Sequence, residues 1–104
     1  MASATNALHQ ELNDVADKIA AQTAALSQAL EARQTAKAEL KKLKAARRLA
    51  KAQGRALTKA QRAELLTAKH AVENATLTFN NCEGAIFDLM QRSAVIAAQG
   101  SLLA

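Results

Sequence analysis

The side chains that could do chemistry in this 104-residue chain are few, and most of them are cations. Between positions 37 and 69 stand Lys37, Lys41, Lys42, Lys44, Arg47, Arg48, Lys51, Arg55, Lys59, Arg62 and Lys69, opposed only by Glu39 and Glu64. That is a net of +9 inside a chain whose formal charge is +5. The flanking stretches are mildly acidic, −2 each, through Glu11, Asp14, Asp17 and Glu31 before the run and Glu73, Glu83 and Asp88 after it. Crowded cations repel one another, and a polyanion relieves that repulsion. Nucleic-acid phosphate is the expected partner, with an affinity whose salt slope is about −0.9 per duplex phosphate neutralised. The run has no Phe, Tyr or Trp on which single-stranded bases would stack. No side-chain set in it suits base-edge reading, so binding is expected at the sugar-phosphate backbone and indifferent to sequence. The competing role for Lys37 through Lys69 is a solvated charged face that binds nothing.

Catalytic chemistry is poorly provided for. His9 and His70 lie far apart in sequence; His9 has no carboxylate or thiol three or four residues away, and His70 has only Glu73, too few groups for a metal or acid–base site. Cys82, the single cysteine, falls at an apolar seam position and reads as a small buried hydrophobe. The three glycines, Gly54, Gly84 and Gly100, are too dispersed for a phosphate-cradling loop. Asn74-Ala75-Thr76 matches a glycosylation sequon, but inside a helix. The expectation is a protein that is not an enzyme and takes no metal or cofactor.

The elements that carry these residues are helical. Twenty-seven residues are alanine, none is proline, and the only aromatics are Phe79 and Phe87, a composition that favours helix over strand. From Leu8 the apolar marks fall at Leu12, Val15, Ile19, Leu26, Leu30, Leu40 and Leu43, in steps of three, four and their sums. Ser3, Thr5 and Asn6 are candidate N-caps. Gly54 suits a left-handed C′ residue, and Thr58-Lys59-Ala60-Gln61 has the reciprocal capping-box pattern. A second stripe follows at Leu65, Ala68, Val72, Ala75, Phe79, Cys82, Ile86, Leu89, Ser93 and Ile96, alternating three and four as in a coiled-coil seam. Folding at Gly54 sets Leu43 against Ala68, Leu40 against Val72, Leu30 against Cys82, Leu26 against Ile86, Val15 against Ile96 and Leu8 against Leu103.

The fold class expected is therefore all-α: one domain over residues 1–104, a long antiparallel, coiled-coil-like helical hairpin. Its helices cover about 5–53 and about 59–99, with the turn at 54–58. Asn80-Asn81-Cys82-Glu83-Gly84 offers an alternative, a break that would make a third short helix. Beyond Gly84 the apolar residues wrap more than one face, so Phe87, Met90, Ala94 and Val95 need a partner other than the first helix.

Together these features suggest a structural or assembly protein. It would oligomerise through Phe87, Met90, Ala94 and Val95 and present Lys37, Lys41, Lys42, Lys44, Arg47, Arg48, Lys51, Arg55, Lys59 and Arg62 to nucleic acid or an acidic surface. A homo-oligomer or larger assembly, such as a virus or phage particle, is the expected setting. The alternative is a stand-alone nucleic-acid-binding or inhibitory accessory module, indifferent to sequence. A membrane protein is not expected, since no apolar run approaches the ~20 residues of a span. The amphipathic stretch from Ala36 to Leu57 lacks aromatic anchors. The expected location is the cytoplasm or the inside of a large particle, with no signal-peptide secretion.

Overall fold

The computed structural model describes the backbone of residues 2–103 and the side chains of residues 4–102. Helix α1 spans Ala2–Ala52 and helix α2 spans Lys59–Leu103, and together they form an antiparallel helical hairpin. Among the described residues there is no strand. Absence of proline and abundance of alanine account for the uninterrupted length of both helices.

α1 begins earlier than expected, so Thr5 and Asn6 lie within its first turns instead of capping it. α2 likewise runs past 99 to Leu103. The break at Asn80–Gly84 does not form, and among the described residues there is no third helix: α2 passes through it without interruption. A helical Gly84 costs only about 1 kcal/mol relative to Ala. The seam residues on either side of it, buried Cys82 and half-buried Ile86, oppose that cost by staying packed.

The turn is built from local chemistry. Gly54 takes φ 71°, the conformation open to glycine without steric cost. The Arg55 N–H donates to the Ala50 carbonyl at 2.8 Å and the Gly54 N–H to that of Lys51 at 3.1 Å. These are the two bonds of a Schellman motif, and they satisfy carbonyls that α1 would otherwise leave open. The Arg55 guanidinium also donates to the Gln53 side-chain oxygen. Thr58 and Gln61 then exchange bonds as the sequence predicts. The Gln61 N–H donates to the Thr58 hydroxyl at 3.1 Å, and the Thr58 N–H donates to the Gln61 amide oxygen at 3.0 Å.

Every residue of the expected α2 stripe, from Leu65 to Ile96, is buried or half-buried, as are the eight apolar marks of α1. The core is thin. Its buried members are Val15, Leu65, Cys82, Ile96 and four alanines, Ala29, Ala50, Ala68 and Ala75, and among the described residues no side chain falls below 2% exposure.

The chain divides into two compact units. The turn unit is Gln28–Phe79, and the termini unit combines Met1–Ser27 with Asn80–Ala104. In the turn unit Leu43 borders one groove with Ala68 and another with Leu65. In the termini unit Ile96 shares a groove with Leu8 and Leu12, about one turn from the expected partner Val15. The grooves therefore bring the expected pair Leu43 and Ala68 to one lining and add neighbours one turn along, as knobs entering holes between partner residues do. The expected pairing of Leu8 with Leu103 lies outside the described side chains.

Candidate interaction surfaces

The turn unit contains all eleven cations of the basic run. Ten are exposed and Lys44 is half-buried. Among the described residues none of them is paired with a carboxylate.

Their arrangement around the hairpin is uneven. Glu39 and Glu64 border one groove of about 450 Å³, with Ala36, Leu43, Ala68 and Ala71 between them. The two acidic residues of the run thus lie on one flank. Steps of seven keep a residue on its flank of a heptad-packed pair. By that rule Lys37, Lys44 and Lys51 of α1 share the other flank, with Lys41 and Arg48 one turn away along it. On α2 the flank opposite Glu64 carries Arg62 and Lys69, again seven apart. Arg55 and Lys59 sit at the turn itself. Lys42 stands on the carboxylate side, and Arg47 remains exposed although its spacing is that of the seam.

One contact of the turn unit is absent from the sequence reading. The Arg33 guanidinium lies 4.9 Å from the centroid of the Phe79 ring, within cation–π range. The signal was available: Arg33 is seven residues from both Leu26 and Leu40, a seam position that an apolar tally passes over.

The termini unit carries the surplus apolar surface. Phe87, Met90 and Val95 are 60%, 59% and 57% exposed, Leu102 is 88% exposed, and Ala94 is exposed beside them. Leu102 was not singled out as an interaction residue, although it continues the Val95 position by one heptad. Leu49, Leu66 and Leu77 are also exposed, but singly, which is ordinary for a protein surface.

The residues capable of catalytic chemistry are dispersed. His9 belongs to the termini unit and His70 to the turn unit, and both are exposed. Cys82 is a free thiol buried on the seam, where the sequence places it. Among the described residues no three His, Cys, Asp or Glu side chains gather as a metal site, and no helix is long and apolar enough to cross a membrane. No family model, curated protein or solved structure matches the chain.

Proposed function

We propose that this protein is a structural or assembly component, not an enzyme. It oligomerises through the exposed apolar surface of α2 around Phe87, Met90 and Ala94, and it offers the basic turn unit to nucleic-acid phosphate. The observation that carries the reading is the segregation of unused surface. The eleven cations of the basic run all belong to one compact unit, and Phe87, Met90, Val95 and Leu102 belong to the other. A hairpin of 11.0 kDa that exposes 7696 Å² has far more surface than the about 5,600 Å² expected of a compact monomer of its mass. Partner surfaces of two chemistries would use that excess: apolar at the termini unit, polyanionic at the turn unit.

The cationic flank supports backbone binding in particular. Lys37, Lys44 and Lys51 stand about two turns apart in succession, giving rows of charge without aromatic or amide side chains between them. Such rows neutralise phosphates and carry no base code. The setting of a large nucleic-acid-containing particle, such as a virion, is consistent with this division of labour.

Light scattering of the purified protein, alone and with random-sequence duplex DNA at low and moderate salt, tests the reading. A defined oligomer that binds DNA with a steep salt slope is the expected result. An oligomer that ignores DNA at low salt would reduce the turn unit to a solvated face. A monomer that binds DNA would favour the stand-alone accessory module.

A further inference from the structure

We propose that one flank of the termini unit is a self-complementary dimer face, covered by the same flank of a second copy of this chain. The inference rests on the oligomerisation half of the proposed function and adds the surface and its symmetry. Two grooves lie on either side of Leu8. One, of about 430 Å³, is bordered by His9 on α1 and by Ala97 and Ser101 on α2. The other, of about 440 Å³, is bordered by Ala4 and Ala7 on α1 and by Gln99 and Leu102 on α2.

Heptad steps from each groove define the rest of its flank. From the first they reach Ala16 and Thr23 on α1 and Met90, Ala94 and Phe87 on α2, with Asn13 and Ala20 in the adjoining row. Glu83 is the only formal charge on this flank. From the second groove the same steps reach Glu11, Asp14 and Lys18 on α1 and Asp88, Arg92 and Val95 on α2. Desolvating the second flank would strip water from five charges, whereas the first requires almost none of that cost.

The first flank is also bulky on one helix and small on the other. Phe87 and Met90 stand proud on α2, while Ala16 and Ala20 are exposed on α1. Leu12 and Ile96 border the same groove. Ala16 and Ala20 lie four and eight residues up α1 from Leu12, and Met90 and Phe87 six and nine residues down α2 from Ile96, so alanines and ridge occupy the same stretch of the flank. A two-fold axis therefore lays the Phe87–Met90 ridge of each copy on the alanines of the other, large on small, as an isologous interface requires. A standard interface buries about 800 Å² per partner, and the exposed area of 7696 Å² leaves ample surplus for it.

The test is mass by light scattering at micromolar concentration for the wild type, Ala16→Arg/Ala20→Arg, Met90→Arg and Val95→Arg. Arginine is a good helix former and all four positions are exposed, so circular dichroism should report an unchanged hairpin. The wild type is expected at twice the monomer mass, with the alanine double variant and Met90→Arg at half that value. Val95→Arg, on the charged flank, should keep the wild-type mass. A double variant that retains the wild-type mass would overturn the dimer face. If Val95→Arg then dissociates the oligomer, oligomerisation stands but uses the other flank, whereas a monomeric wild type overturns both.

Discussion

Arg33 and Phe79 make a cation–π pair within the turn unit, with 4.9 Å between guanidinium carbon and ring centroid. Half-exposed cation–π pairs contribute roughly 0.5–1 kcal/mol. Replacing Arg33 by Gln or Phe79 by Leu should each lower stability in chemical denaturation. A double-mutant cycle should recover a coupling of about that size, and additive losses would mean that the pair is only proximate. Thr58 is the other residue with a definite local role, since its hydroxyl accepts from the Gln61 N–H at 3.1 Å. Thr58→Ala should cost about 1 kcal/mol, seen as a lower denaturation midpoint with an unchanged slope. Three further threonines, Thr23, Thr67 and Thr78, donate to the carbonyls four residues earlier, at 2.8–3.0 Å, and so satisfy their hydroxyls within the helix.

At the scale of the helices, α2 is a continuous element whose weakest interior point is Gly84. A Cβ built there meets nothing within 4 Å, and its φ is not positive. Gly84→Ala should therefore stabilise the hairpin by roughly 0.5–1 kcal/mol by removing unfolded-state freedom, measurable as a raised thermal midpoint. Gly54→Ala should do the opposite, by about 1–2 kcal/mol, even though it too meets nothing within 4 Å. The difference lies wholly in the backbone, because at φ 71° an L side chain is strained whatever the space around it. Comparing the two variants in one denaturation experiment separates helix propensity from turn geometry. Equal effects would contradict the assignment of Gly54 as the chain-reversing residue.

For the molecule as a whole, the proposed functions are carried by different units and should be separable. Neutralising Lys41, Lys42, Arg47 and Arg48 to Gln is expected to weaken DNA binding strongly in a low-salt titration and leave the oligomer mass unchanged. Each lost phosphate contact should also shrink the salt slope by about 0.9. Because Lys41 and Arg48 share the cationic flank while Lys42 stands near Glu39, single substitutions should rank Lys41 and Arg48 above Lys42. Loss of the oligomer in the quadruple variant would mean that charge and assembly are coupled, contrary to the segregation of surfaces proposed.

The all-α class, the reversal at Gly54, the capping box and the seam from Leu65 to Ile96 were legible in the sequence, because each depends on spacing within about one or two helical turns. The exposure of Phe87, Met90 and Val95 was legible for the same reason: a partner helix covers one stripe, and these residues stand off it. Three matters required the tertiary structure. Continuity through Asn80–Gly84 depended on Cys82 and Ile86 packing across the hairpin, a non-local stabilisation that outweighs the weak local cap signal. The grooves that Leu43 borders with both Leu65 and Ala68, and Ile96 with Leu12, depended on how the two helices settle together, which a count of level pairs does not contain. Finally, the division of charged and uncharged residues between flanks appeared only once both helices bordered common grooves, because a flank is a property of two helices packed together and of neither one alone.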